Sequence, residues 1–398
     1  MKEENKTFSL EPELELLLLS ITLPGKQAAA PWCSRAAAEI LKKEIDWAKL
    51  RQFAVYHRVL PLFYKRLKDL DISLLPEAEM KRIKALDKEN TLNNLRQAAK
   101  LHRVLDILSR GEVTAIAFKG PVLAVQAYGD LSMRTFVDLD LLVRGEDFGT
   151  VYDLLTAAGL RSSFPLDEKK KRLWVRFHRS LEFFDDTSVV DVHQQIFPGQ
   201  AKTGFAGRVR QNRSTAALLS RQVPVLSAEH ALLVLCLHGT KDNWSFLRYP
   251  AEIAHLIDSF PDLDWQALTA DARETGSLPM LAVGLFLARQ VCGLQLPAGV
   301  LRAAGLDVRS GKPAAEYLGS LLAGDSTAQP KIGKIYEVKA LLKAMDSNAN
   351  RAKHLIHFLF VPTPLDWAAI KLPTFLYPLY FLVRPLRLLF KLLTGRGF

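Results

Sequence analysis

Cysteine and long apolar runs are scarce in this chain of 398 residues. Cys33, Cys236 and Cys292 are its three cysteines, and they are too scattered for a disulfide framework or a paired-cysteine metal site. No apolar run of roughly 18 residues occurs, so we predict no membrane-spanning helix. The first residues are charged, and glutamates interrupt the apolar stretch that follows, which is not the pattern of a secretory signal. We therefore expect a cytoplasmic protein.

Several common catalytic motifs are also absent. The sequence contains no Gly-x-x-x-x-Gly-Lys-Ser/Thr, no His-Glu-x-x-His and no Gly-x-Ser-x-Gly, so we do not expect a P-loop, zincin or nucleophile-elbow enzyme. Hydrophobic residues make up 49% and charged residues 24% of the chain, which is typical of a folded protein with a substantial core. The net charge of +11 allows an anionic partner such as a nucleotide, nucleic acid or anionic lipid, but does not choose among them.

The helical pattern of the chain is interrupted once, after Gly111. From there short runs of strand-forming residues alternate with helical stretches in the order β-α-β-α-β-β, and from Ser227 the pattern is helical again. We predict a mostly helical α+β protein with a small mixed β-sheet. The predicted strands cover residues 113–118, 136–143, 178–184 and 188–196. The predicted regions are an N-terminal helical region (1–110), an α/β core (111–200), a C-terminal helical domain (201–352) and an apolar basic tail (353–398).

Two carboxylates lie two residues apart on the second predicted strand. Asp138 and Asp140 should therefore face the same side of the sheet, with Leu139 and Leu141 on the other. Neighbouring carboxylates repel each other, and their burial is costly unless a positive charge compensates. A divalent cation such as Mg²⁺ takes oxygen ligands and is often shared with substrate phosphates, so this pair predicts a metal site.

A third carboxylate, Asp191, lies on the last predicted strand, opposite in orientation to Val190 and Val192. If this strand pairs beside the strand of Asp138 and Asp140, all three carboxylates can converge. Three carboxylates suit two metal ions about 4 Å apart. His193 shares the face of Asp191 and either contacts a metal or phosphate or is a half-buried histidine beside a carboxylate.

Lys119 and Gly120 lie where the first predicted strand passes into a helix. A glycine there lets a phosphate approach the backbone, and a helix N-terminus offers free N–H groups and a positive dipole end. Lys119 adds a point charge for phosphate oxygens. Arg134, four residues before Asp138, either clamps a phosphate in bidentate fashion or pairs with an aspartate.

In this order the motifs resemble a known family. The run AFKGPVLAVQAYGDLSMRTFVDLDLLV resembles an uncharacterised bacterial nucleotidyltransferase-like family of the DNA polymerase beta-type nucleotidyltransferase superfamily. The segments around Trp47, Asp191 and His238 are similar to further motifs of that family. The resemblance implies a small nucleotidyltransferase core with a mixed sheet, flanked by N- and C-terminal helical domains.

The resemblance also implies a chemistry. Asp138 and Asp140 would be metal ligands, Asp191 the third acidic residue, and Gly120 the glycine approached by phosphate. The cofactor would be Mg²⁺ or Mn²⁺, the substrate a nucleoside triphosphate (NTP), and the acceptor an unidentified hydroxyl on a protein, RNA, sugar or small molecule. This chain has Pro121 where proven transferases of the superfamily usually have a serine or glycine.

Two alternatives stay open at this point. One is a catalytically inactive nucleotide-binding or scaffold protein, which the missing serine after Gly120 favours. The other concerns the tail, residues 353–398, which carries six Lys and Arg against one Asp. It either packs on the C-terminal domain or lies in a membrane interface, where it would make peripheral contact with anionic lipid at the inner membrane face.

Overall fold

The computed structural model describes residues 10–23, 39–69, 76–197, 204–300, 308–322, 334–345, 347–370 and 372–394. Four N-terminal helices precede the first strand. They are α1 (Pro12–Ile21), α2 (Trp47–Tyr56), α3 (Leu60–Asp69) and α4 (Glu77–Arg110). As the sequence predicts, Asp46 caps α2: its side chain accepts a hydrogen bond from the backbone N–H of Lys49.

A mixed sheet follows, and seven strands of it lie in the described part of the chain. They are β1 (Ile116–Phe118), β2 (Asp138–Leu142), β3 (Arg161–Ser162), β4 (Ser180–Phe184), β5 (Val189–His193), β6 (Ser214–Leu218) and β7 (Arg221–Val225). Their order across the sheet is β3-β4-β5-β2-β1-β7-β6. β2 and β5 are parallel, as are β1 and β7, and the other pairs are antiparallel. The helices between them are α5 (Gly120–Tyr128), α6 (Phe148–Ala157), α7 (Glu168–Phe177) and α8 (Phe205–Gln211).

The remaining helices follow β7. They are α9 (Ala228–Lys241), α10 (Arg248–Ser259), α11 (Trp265–Glu274), α12 (Leu278–Cys292), α13 (Val308–Leu322), α14 (Lys334–Ala344), α15 (Asn348–Phe360), α16 (Pro364–Ala369) and α17 (Tyr380–Thr394). No helix in the described ranges is both long enough and apolar enough to cross a bilayer.

The two faces of the sheet belong to different hydrophobic clusters. Leu139 and Leu141 of β2 pack in a cluster that contains Val151 of α6 and Leu101 of α4. Side chains of the opposite face, such as Leu142, join a larger cluster formed mainly by the N- and C-terminal helices. The alternation of β2 therefore turns its apolar side chains toward α4 and α6, and its aspartates toward the C-terminal helices.

The structure confirms the predicted fold class, a mostly helical α+β protein with a mixed sheet. The four predicted strands are present but shorter than predicted, because the residues at their ends do not pair with a neighbouring strand. The sequence analysis missed β3, β6 and β7, and the last two extend the sheet beyond the predicted core boundary at residue 200. The division into four regions remains a prediction.

Candidate active site

A row of polar side chains crosses the middle of the sheet on the face of the C-terminal helices. The register places Asp140 of β2 beside Asp191 of β5, and Glu182 of β4 beside Asp191. Phe118 of β1 is the neighbour of Asp140 on the other side. The strand pairing on which the convergence of Asp140 and Asp191 depends is therefore present.

Asp140 is buried, with 3% of its surface exposed. Its Oδ1 atom lies 2.7 Å from Nζ of Lys119 and 3.1 Å from Nε2 of His193. Burial raises the pKa of a carboxyl, but Lys119 and His193 outweigh that effect and hold the pKa of Asp140 well below its usual range. Asp140 is therefore an anion at neutral pH even though it is buried.

His193 joins the two aspartates. Its Nε2 atom lies 2.9 Å from Oδ2 of Asp191 as well as 3.1 Å from Oδ1 of Asp140. Burial lowers the pKa of His193, but the two carboxylates raise it by more, so that the pKa lies above its ordinary value. The sequence left two roles open for His193, and the structure shows direct contact with both acids.

The donor set fits a divalent cation. Ligand atoms of Asp140, Asp191 and His193 all lie within 4.8 Å of one another. Oδ2 of Asp140 and Oδ1 of Asp191 are buried and accept no hydrogen bond from any described residue. Buried polar atoms are normally satisfied, so two orphaned carboxylate oxygens in one cluster indicate a place for a cation.

Asp138 stands at the edge of this cluster. It lies two residues before Asp140 on the same face of β2, its register partner is Val189, and it is half-buried. It is not part of the group of three mutually close ligands. Glu182, which the sequence analysis did not single out, faces the same area. Burial raises the pKa of Glu182, and Asp191 and Asp138 raise it further.

The corner between β1 and α5 has an unusual backbone. Lys119 and Gly120 both have positive φ, at 54° and 41°, a conformation that costs a non-glycine residue free energy. A Cβ atom on Gly120 would lie 3.0 Å from the carbonyl oxygen of Asp138, so only glycine fits there without a shift. This sharp turn places the N-terminus of α5 and the ammonium group of Lys119 beside Asp140.

Arg134 binds neither aspartate. Its Nε atom lies 2.8 Å from Oε1 of Glu252 in α10, and both side chains are almost fully buried. A second guanidinium nitrogen donates a hydrogen bond of 3.4 Å to the carbonyl of Gly120. Asn94 of α4 donates a hydrogen bond to the backbone carbonyl of Arg134. Arg134 therefore ties the Lys119–Gly120 corner to α10. Of the two roles that the sequence left open, the aspartate pair is not formed, and phosphate binding by Arg134 remains a prediction.

A cavity of about 280 Å³ opens beside Asp191 and His193. Asp191, His193 and Phe118 form one wall, and residues of α9, α14, α15 and α17 form the others. His238 of α9, left open by the sequence, lines this cavity. Burial and the nearby cations, including Lys119 and Lys241, lower the pKa of His238 well below its ordinary value. The predicted tail region thus takes part in the site.

Comparison with known families identifies the family of this chain. The model of a family described as "Uncharacterised nucleotidyltransferase" matches residues 43–293. The chain belongs to this family. The match includes the sheet and every candidate site residue named above, so the resemblance seen in the sequence is confirmed. The family description establishes nucleotidyltransferase as the class of protein.

Two further comparisons add little about function. The solution structure of the antibiotic-resistance factor ANT(2'')-Ia is similar to 56% of this chain and 97% of its own, with 15% sequence identity. The TM-score is 0.30, so we draw no conclusion from that likeness. No curated protein matches the sequence.

Proposed function

We propose that this protein transfers a nucleoside monophosphate group from an NTP to a hydroxyl group of an acceptor, with Mg²⁺ or Mn²⁺ as cofactor. The observation that carries the proposal is the pair Asp140 and Asp191, adjacent on parallel strands, each with an orphaned buried oxygen. The strained Lys119–Gly120 corner beside this pair supports it. So does membership of the nucleotidyltransferase family.

Asp140 and Asp191 are the proposed metal ligands, with Asp138 as a further carboxylate at the edge of the cluster and His193 as a nitrogen donor or a positioning group. Bound divalent ions would neutralise phosphate charge and lower the pKa of the acceptor hydroxyl. Asp138, Asp140 and Asp191 are the residues that we propose as catalytic.

The chain's own groups at the Lys119–Gly120 corner would bind the phosphates of the NTP. The N–H groups at the start of α5 and the ammonium group of Lys119 would bind phosphate oxygens, with Gly120 allowing close approach. Pro121 contributes no N–H group there, which leaves fewer backbone donors. Arg134, bound to Glu252 and to the carbonyl of Gly120, would position this phosphate-binding corner rather than clamp phosphate itself.

The transfer step follows from these positions. The acceptor oxygen forms a bond to the α-phosphorus while the bond from that phosphorus to pyrophosphate breaks. The hydroxyl proton passes to bulk water, and the carboxylate of Asp191 would orient the acceptor while its Oδ1 atom remains available to a cation. Pyrophosphate is the leaving group.

Label transfer tests the proposal. Purified protein would be incubated with Mg²⁺, cell extract and each α-³²P-labelled NTP, and the labelled fraction identified. We expect the wild type and an Asp186→Asn control to label an acceptor, because the side chain of Asp186 is 95% exposed on the β4–β5 turn. Asp140→Asn and Asp191→Asn should not. If NTP binds but no variant or wild type releases pyrophosphate, the protein is a nucleotide-binding scaffold instead.

A membrane contact is a second proposal, and the surface of α17 favours it. Leu382, Leu386, Leu389 and Leu393 of this helix are all more than half exposed. On its inner side Arg384 is buried and binds Asp366 of α16, with 3.3 Å between the closest atoms. The helix therefore buries Arg384 together with Tyr380 and Leu388 on its inner side and turns a leucine stripe outward.

We propose that this stripe lies on an anionic lipid surface, since the predicted tail has an excess of positive charge. Flotation with phosphatidylcholine vesicles, with and without phosphatidylserine, tests this. Leu382→Ser/Leu386→Ser/Leu393→Ser should abolish flotation. The control Leu92→Ser/Leu95→Ser, on exposed leucines of α4, should not. A stripe that instead joins two copies of the chain would show as a dimer that the triple variant dissociates, without flotation.

A further inference from the structure

The cavity beside Asp191 adjoins the phosphate-binding corner. It is lined by Asp191 and His193 but not by Lys119, Gly120 or Asp138, and Phe118, the residue before Lys119, is part of its wall. The corner and the cavity therefore both border the aspartate pair. A transferase needs its two substrates on opposite sides of the reacting phosphorus, because the acceptor attacks in line with the leaving group.

Arg179 is the distinctive cation of this cavity. It lies just before β4, is half-buried, and forms no ion pair with any described residue. Burial lowers its pKa, and Glu337 of α14, also in the cavity wall, offsets this only in part. A buried cation without a partner is costly, so an anion from outside the chain would stabilise it.

The other charges of the cavity are already engaged. Nζ of Lys241 lies 3.7 Å from Oε1 of Glu337, and Arg384 binds Asp366 and the carbonyl of Phe358. Asp191 is the carboxylate of the sheet wall and is held by His193. Arg179 is therefore the charged side chain of the cavity wall that forms no ion pair within the described residues.

We propose that this cavity is the acceptor site, and that it takes a small hydroxyl compound carrying a phosphate or carboxylate group that Arg179 binds. The proposal rests on the proposed nucleotidyl transfer. A cavity of about 280 Å³ is at the lower limit of small-ligand sites. Among the acceptors considered from the sequence, a small anionic molecule is the one that this volume could enclose as a whole.

Binding measurements on the full chain test the proposal without relying on activity. The probes are glycerol 3-phosphate, glycerate and inorganic phosphate, with neutral glycerol as the comparison, and MgATP is titrated separately. We expect at least one anionic probe to bind more tightly than glycerol. Arg179→Gln should weaken that binding by about 10-fold or more, the usual scale for a lost charged hydrogen bond, and should leave MgATP affinity unchanged.

Matched variants separate the outcomes. Arg172→Gln removes an exposed arginine of α7 outside the cavity and should bind every probe like the wild type, and Arg179→Lys should retain part of the affinity. If all three anions bind no better than glycerol, or Arg179→Gln and Lys241→Met both bind them normally, the proposal is wrong. If Arg179→Gln weakens MgATP instead, the cavity holds the nucleotide and the proposal is overturned. Failure of nucleotidyl transfer would show separately in the label-transfer assay, as wild-type protein that releases no pyrophosphate.

Discussion

The two faces of β2 and β5 differ sharply in their side chains. Leu141 and Val192 on one face are fully buried in a hydrophobic cluster, while Asp140 and Asp191 on the other form a buried charged cluster. The same ten residues therefore hold the sheet in place and present carboxylates that repel each other. The comparison indicates that one face stabilises the fold by burying apolar side chains, and that the other holds its carboxylates through contacts with Lys119 and His193.

Asp191→Asn should have the largest effect on function. We expect the transfer rate to fall by about 1,000-fold or more, because carboxylate-bound ions and a placed acceptor supply much of the barrier reduction. The thermal unfolding midpoint should change little, because asparagine keeps the size of the side chain, and the relief of repulsion from Asp140 offsets the loss of the contact with His193. Parallel label-transfer and melting measurements check this. A large loss of stability would contradict the division of roles between the faces.

Glu252→Gln should have the largest effect on stability. It leaves Arg134 buried without its partner, and removal of one member of a buried ion pair typically costs about 3–5 kcal/mol. Urea unfolding measures this loss. The double variant Arg134→Met/Glu252→Leu should recover much of the stability, because it removes both charges. It should still lower the affinity for MgATP, because Gly120 loses its hydrogen bond from Arg134.

Leu141→Ala tests the apolar face of β2 separately from the charged face. Leu141 is fully buried, and a Leu→Ala change at such a position costs about 2–5 kcal/mol. We expect this loss in urea unfolding, with MgATP affinity per folded molecule unchanged. A fall in affinity equal to that of Asp140→Asn would show that the two faces are not independent.

The smallest expected effect concerns a carboxylate outside the charged cluster. Burial raises the pKa of Asp185 in the β4–β5 turn, but Lys100 and the Thr187 N–H lower it by more, so that its pKa lies well below the usual range. A lowered folded-state pKa stabilises the protein above the unfolded pKa, and this contribution is lost as the pH falls. The free energy of unfolding of Asp185→Asn should therefore fall less between about pH 5 and pH 2 than that of the wild type, as unfolding followed by circular dichroism would show.

The sequence predicted the charged face well, because alternation along a strand is a local property. The spacing of Asp138, Asp140 and Asp191 was enough to place them on one face once β2 and β5 pair. His193 followed from the same alternation. Glu182 could have been found the same way, since it alternates with the buried Leu181 and Phe183 of β4.

Contacts between distant segments could not be predicted. Arg134 meets Glu252, 118 residues away in the chain, and no local pattern indicates that pair. β6 and β7 are rich in polar residues and contain Pro224, so they lack the apolar alternation that marks a half-buried strand. The cavity is formed by the sheet together with helices of the last third of the chain, so its lining depends on tertiary packing alone.

The contact between Lys119 and Asp140 has a practical consequence. Because the lysine already neutralises the most deeply buried carboxylate, the protein carries its own counter-ion and does not depend on a bound cation to fold. Chelation should leave it intact in solution, unlike a domain held together by zinc. Crystals and spectra of the chelated protein would then describe a resting state in which Lys119 holds Oδ1 of Asp140 and Oδ2 remains open to a cation.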